Sequence, residues 1–324
     1  MSYKRLEADD FVVSADSITA AIWSGNSPTL TQFFTSSIQE AASSGNYYLS
    51  VYQTGSLLTG SEVQFDIAYG NKFGSGSTYF NAAVIGVSPT KTIYGQYRTL
   101  VLGDENANFI FGNITSSDFW ALSINRSRYK ESLFPGSLTL KLSGSTAITL
   151  TDDSKITSVI NFLDSGRVFN LYSGSAGTVF STASNYGWVL PDIGVILLSP
   201  TAISASIGVV ASASINAPGL NNRRLFNAIS SSGTFTLNSQ ETITADYIFV
   251  RPRSSEFNYS ENPSYISGST GEVIYSSFIN NPQSYITTVG LYNDTNELLA
   301  VAKLSKPLKK DFTKEALVRV KLDF

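Results

Sequence analysis

The chain of 324 residues contains no cysteine, no histidine and a single methionine. Without cysteine there is no disulfide framework, and thiol chemistry marks no compartment. The two absences together exclude zinc sites built from Cys and His. They also exclude Ser-His-Asp and Cys-His nucleophilic catalysis. Histidine is the side chain that most readily moves protons near neutral pH, so any catalyst here would have to work with carboxylates alone. Charge is scarce too: Asp, Glu, Lys and Arg make up 15% of the chain, against roughly 25% in ordinary soluble domains. Met1–Asp10 has no apolar signal core. The uncharged stretch Gly194–Asn222 is broken by Pro200, Pro218 and several Ser and Thr. It therefore predicts a buried strand at Gly194–Leu198 and a Ser/Ala-rich segment, not a membrane span. No internal repeat of fixed period is seen.

What is present is 42% apolar residues, with 17 Tyr and 20 Phe among abundant Ser, Thr, Asn and Gly. That is enough apolar material for a real core, in a composition that favours β structure with many turns. A low-charge, Tyr-rich surface suits permanent interfaces, whose centres are poor in charge and rich in aromatics. It equally suits a β protein with a neutral surface.

Period-two alternation predicts strands in several places. Val63, Phe65, Ile67 and Tyr69 share one face, as do Trp120, Leu122 and Ile124, then Leu138, Leu140 and Leu142. Ile248 and Val250 alternate with Tyr247, Phe249 and Arg251. Near the C-terminus, apolar runs flank Asn293-Asp294-Thr295-Asn296, which predicts a hairpin with a longer loop. Val318, Val320, Leu322 and Phe324 predict a terminal strand facing the core beside that hairpin. Helices are few. Ser88-Pro89 followed by Ile93, Tyr97, Leu100 and Val101 and closed by Gly103 is the clearest. Gly95 inside it suggests close packing on a neighbour. Ser27-Pro28 followed by Leu30, Phe33, Phe34, Ile38 and Ala41, with Gly45 beyond, carries the same signal. The expected class is α+β and β-rich, with antiparallel, sandwich-like sheets and few short helices. The expected domains are an N-terminal arm with a short helix (1–61), a β-rich domain (62–200) and a C-terminal β domain ending in the hairpin and strand (201–324).

Candidate chemistry is thin. Gly74-Ser75-Gly76-Ser77 lacks the Gly-Lys-Ser/Thr ending of a P-loop, and reads as a mobile loop touching another subunit. Asp152-Asp153-Ser154-Lys155 reads as a hairpin turn, because neighbours on an extended chain point apart and calcium needs six or more oxygens. No paired-carboxylate glycosidase arrangement stands out. Arg126, Arg128 and Lys130 would continue the Trp120 face, where burying three cations is too costly. A bend near Asn125 is expected, leaving them to grip a partner's carboxylate or to form a solvated rim. Lys303–Phe324 holds seven basic and three acidic residues, while the chain before it holds 15 basic and 22 acidic. Lys303, Lys306, Lys309 and Lys310 are thus candidates for docking on an acidic neighbour, or for keeping an edge strand soluble. The negative total charge and the lack of aromatics interleaved among Lys303, Lys306, Lys309 and Lys310 argue against nucleic-acid binding. No cofactor or metal site is expected.

Several stretches carry a resemblance. VGLYNDTNELLAVAKLSKPLKK from Val289, FDIAYGNKFGSGS from Phe65, SPTKTIYGQYRTLVLG from Ser88, RSRYKESLFPG from Arg126 and EFNYSENPSY from Glu256 resemble virion structural proteins of contractile-tailed phages, especially those infecting marine cyanobacteria. The C-terminal hairpin is similar to regions where tail-fibre and collar proteins attach to baseplates. The resemblance covers most of Glu62–Phe324, and implies a non-enzymatic baseplate subunit that links other tail proteins and self-associates in a symmetric assembly. Such a protein is made in the host cytoplasm and resides in the virion, binding neither nucleic acid nor membrane. Alternatives are a receptor- or glycan-binding tail-fibre module and a capsid decoration protein.

Overall fold

A computed structural model describes residues 3–35, 48–53, 62–76, 88–213, 220–260 and 262–323. The chain is α+β and β-rich, 45% strand against 16% helix. Every described strand pairing that has a register is antiparallel, and four α-helices lie among the described residues. Contacts group the chain into two units, Ser17–Glu241 and Met1–Asp16 with Thr242–Phe324. The boundaries expected at 61–62 and 200–201 both fall inside the larger unit. The reason is packing: Ala202, Ile203 and Ile207 bury into the same core as Leu30, Leu49 and Phe65.

The larger unit is organised by one long sheet. In spatial order it runs through Thr29–Leu30, Phe235–Thr236, Thr139–Ser143, Ala147–Asp152, Gly166–Ser175, Gly187–Leu190, Val195–Leu198, Asp118–Ile124, Val63–Asn71, Tyr48–Tyr52 and Phe34–Thr35. Its centre is Asp118–Ile124, held between Val195–Leu198 and Val63–Asn71. Alternation sends Trp120, Leu122 and Ile124 to one face, beside Phe65, Ile67 and Ile196. Phe119 and Ala121 go to the other face with Ala68, Val195 and Leu197. Both faces are apolar because both are covered. Helices Pro200–Ile207 and Leu220–Ser232 cover the first, burying Ile203, Leu225 and Ile229. Helix Pro89–Leu102 and the Phe109–Phe111/Ile114–Ser116 hairpin cover the second, and the Tyr94 ring stacks on Phe119 at 5.5 Å. Gly187 sits at φ 149°, and any Cβ there would run into the Leu197 carbonyl oxygen, so only glycine allows this strand to approach.

Local signals meet mixed outcomes. The Ser88-Pro89 helix forms as expected and ends at Gly103 in the left-handed conformation. Its buried face uses Tyr94 where Leu100 was expected, and Leu100 is exposed. The Ser88 hydroxyl donates to the Gly74 carbonyl and does not cap the helix. Nothing lies within 4 Å of a Cβ built on Gly95, so that glycine serves no close approach. The helix expected after Ser27-Pro28 is absent over 28–35, which instead holds strands Thr29–Leu30 and Phe34–Thr35. Ladder pairing with Phe235–Thr236 and the Trp23 indole, which donates to the Pro28 and Phe235 carbonyls, override the local signal. Ile38, Ala41 and Gly45 lie outside the described residues. The bend expected near Asn125 is present: Asn125 accepts from the Ser127 amide and opens a 3-10 turn at Arg126–Arg128. A turn follows Asp152 but it is not the expected hairpin turn, since Ala147–Asp152 pairs with Gly166–Ser175 and not with the next strand, Asn161–Leu163, and both carboxylates are buried. No helix among the described residues is long and apolar enough to cross a membrane.

In the smaller unit, residues 245–250 of the strand Asn238–Val250 pair with Val318–Asp323, Ile248 opposite Val320 and Val250 opposite Val318. Phe11–Ala21 lies on the other side of Asn238–Val250. Ile248, Val318 and Val320 form a small core, and Val289, Leu291, Ala302 and Leu304 of the C-terminal hairpin pack on it. The terminal strand therefore faces the core beside the hairpin, as its alternation predicts. Phe324 lies outside the described residues.

Deleting residues 315–324 removes two of the three buried side chains of this core, each worth about 2 kcal/mol of burial. Amides at 246–250 should then lose hydrogen-exchange protection, while those at 118–124 keep theirs. Retained protection at Ile248 and Val250 would contradict this account.

Candidate functional site

The C-terminal hairpin joins Ser284–Tyr292 to Leu298–Lys310. Asn293 makes the turn: its side-chain oxygen accepts from the Thr295 amide at 3.1 Å and the Glu297 amide at 2.7 Å, and Asn296 takes φ 62°. Past Thr288 the ladder is irregular. Thr288 pairs with Lys303 and Ile286 with Leu308, so Leu304–Pro307 stand opposite the single residue Thr287. One side of the hairpin packs on the small core. The other leaves Tyr285, Leu299 and Val301 exposed to 60%, 68% and 58%.

The four candidate lysines do not share an environment. Lys303 and Lys306 are exposed and Lys309 is half-buried. Lys310 is 0% exposed, which corrects its expected place on a docking edge. Its ammonium donates to the Ser254 carbonyl at 2.9 Å, the Asn258 side-chain oxygen at 3.1 Å and its neighbour Asp311's carbonyl at 3.1 Å. A buried ammonium is tolerable only when its donors are satisfied, and here three neutral oxygens do so. The Asn258 amide nitrogen in turn donates to Ser254, and Lys4 bonds Glu256 at 2.8 Å. Together these bonds hold the loop that presents Phe257, whose φ of 55° is rare for a bulky residue.

The arginines are engaged locally. Arg126 donates to the Tyr129 carbonyl at 2.6 Å and lies 4.7 Å over the Tyr129 ring. Arg128 pairs with Glu62 at 2.8 Å and donates to the Ser24 hydroxyl, and Lys130 pairs with Glu241 at 3.1 Å. They do not converge on one point where a carboxylate could be gripped.

Buried and half-buried carboxyls are the feature that sequence reasoning missed. Asp66 stands on the helix-covered face in a cross-strand row with Ser50 and Ser123. Burial raises its pKa above the ordinary aspartate value, and a Ser50 hydrogen bond opposes the shift. Asp118 is raised by burial too, although hydrogen bonds from Tyr69 and Ser116 oppose it. The Tyr69 hydroxyl donates to it at 2.8 Å, and burial raises that phenol as well. Asp153 is raised by burial against bonds from the Asn170 amide and side chain, at 2.9 and 3.0 Å. Asp152 accepts from the Gly136 amide at 2.8 Å. These partners are fixed by strand register across tens of residues, so no local spacing signals them. Hydroxyls and amides bond each carboxyl, an arrangement that orders strands, but Asp66 Oδ1 and Asp152 Oδ2 are buried without a hydrogen-bond partner. No group of three or more metal-ligating side chains occurs among the described residues.

No protein-family model, curated protein or solved structure matches the chain.

Two consequences can be measured. Lys310→Met leaves two buried acceptors and one half-buried acceptor without their donor, and should cost about 3 kcal/mol of stability. Lys306→Met should stay within about 0.5 kcal/mol. Denaturant unfolding that gave equal effects would refute the buried lock. The second concerns pH. Asp66, Asp118 and Asp153 hold protons more tightly folded than unfolded. Their contribution is therefore full below the unfolded pKa and is lost as pH rises through the folded values. Glu62, Glu256 and Asp311 are lowered, by bonds from Ser24, Lys4 and Thr313 first, so their contribution is lost only as pH falls through their folded values. Unfolding free energy should rise as pH falls through the raised folded values of these three carboxyls, and Asp66→Asn with Asp118→Asn should flatten that rise. A profile unaltered by the pair would count against the assignment.

Proposed function

We propose that this protein is a non-enzymatic structural subunit of a contractile phage tail, a baseplate component that links other tail proteins by permanent association. The observation that carries the reading is the outward side of the C-terminal hairpin. Tyr285, Leu299 and Val301 stay exposed there, with Lys303 and Lys306 exposed on the same hairpin. Exposed apolar and aromatic side chains grouped on one element mark an interaction surface. The stretch is also the one whose sequence resembles baseplate-attachment regions, and its lysines suit an acidic neighbour. The subunit is made in the host cytoplasm, resides in the virion and works without cofactor, membrane or nucleic acid.

A second reading, a glycan-binding tail-fibre module, draws on a surface cluster of three rings. Tyr265 lies 5.7 Å from Tyr275 and 5.6 Å from Phe278. A capsid decoration protein would share the same mode of association and differ in place.

The test is location. Antibody against the chain, imaged on purified particles from the infection that produces it, should label the tail end. Label confined to the capsid, or found only on unassembled protein, would overturn the baseplate assignment. Oligosaccharide binding by the isolated chain, lost on Tyr265→Ala, would favour the second reading.

A further inference from the structure

We propose that copies of this chain associate head to tail, the N-terminal strand Phe11–Ala21 of one copy adding to the free edge of Leu298–Lys310 in the next. The proposal rests on the docking role given above to the hairpin, and it names the hairpin's partner. Both strands have an edge with no neighbour among the described residues. Phe11–Ala21 ends its sheet, and Leu298–Lys310 pairs with Ser284–Tyr292 alone. A free edge is a row of unpaired N–H and C=O groups, a template for one more strand.

Phe11–Ala21 is also exposed along nearly its whole length. Phe11 is 44% exposed, Val13 59% and Ile18 48%, on residues that alternate between both faces. A strand that buries neither face gains little from its own chain beyond its ladder, and a neighbouring copy alongside it would cover that surface.

Charge selects which edge it meets. Between Glu7 and Asp16 the chain has four acidic residues and no basic one. Leu298–Lys310 has four lysines, three of them at least partly exposed, and no acidic residue. Two lysine edges repel each other, as do two acidic ones, while the unlike pair attracts. The regular stretch is 300–303, between the register shift at Leu299 and the irregularity that follows, and it can accept the strand. Beyond it, the Leu304–Pro307 irregularity and the missing Pro307 amide end the ladder. Such a contact joins different surfaces of one chain, so its repetition closes a ring or extends as a filament.

Two variants test this. Asp9→Lys with Asp16→Lys cancels the acidic charge of the first edge, and Lys303→Glu with Lys306→Glu cancels the basic charge of the second. Sedimentation at about 20 mM salt should show self-association of the native chain that weakens as salt rises. Each variant alone should associate about tenfold more weakly or worse. An equimolar mixture of the two should recover association, because each supplies the edge the other has lost; misfolded variants could not do this. A native chain that stays monomeric, variants that associate like the native chain, or a mixture no better than its parts would overturn the proposal. A monomeric chain still incorporated into particles would overturn self-association alone and leave the structural-subunit reading standing. Normal self-association by a chain absent from particles would do the reverse.

Discussion

Every β-strand carries two rows of backbone N–H and C=O groups, and each row must find partners in protein or water. How the two units meet that requirement separates them. The larger unit runs one antiparallel path whose described ends, Thr29–Leu30 and Phe34–Thr35, are two residues long. Edges that short offer little template to a foreign strand. Among the described residues, long strands leave an edge open in Phe11–Ala21, whose first six residues belong to the smaller unit, and in Leu298–Lys310. The proposed docking surface lies where the edge requirement is left unmet.

Burial follows the same division. The central strands of the larger unit bury both faces, with Trp120, Phe119, Leu122 and Phe65 all at 0% exposure. In the smaller unit the apolar core comes down to Ile248, Val318 and Val320. Polar locks supplement it: Lys310 ties the hairpin base to the Ser254–Asn258 loop, and Lys4 fixes Glu256 from the other end of the chain. A unit with little apolar burial and many peripheral hydrogen bonds opens more easily than a dense core. It also has more to gain from a partner that covers its exposed strands.

Much of the architecture was legible in the sequence, because alternation reports burial directly wherever a strand has two distinct faces. Val63–Asn71, Asp118–Ile124, Thr139–Ser143 and Val318–Asp323 could all be read in this way. Helix signals were less reliable, and the three Ser-Pro steps show why. Ser88-Pro89 and Ser199-Pro200 both open helices closed by a glycine in the left-handed region, Gly103 and Gly208. The second was passed over because it lies in an uncharged stretch whose composition suggested a linker. Ser27-Pro28 opens none, since Trp23 and the Phe235–Thr236 strand claim the backbone there. The candidate site was legible only as a tendency. The excess of lysine near the C-terminus is plain in the sequence, but which lysine is buried depends on Ser254 and Asn258, more than fifty residues away. The raised carboxyls of Asp66 and Asp118 likewise arise from register and cover, which no local window contains.

The central claim is that the open strands of the smaller unit are the surface this protein uses in its assembly. Hydrogen exchange compared between the free chain and the chain in purified particles tests it most directly. Amides of Phe11–Ala21 and of Leu298–Lys303 should exchange readily in the free chain and slowly in the particle, with Asp118–Ile124 slow in both. Equal exchange of those two strands in both states, with new protection confined to the larger unit, would contradict the account.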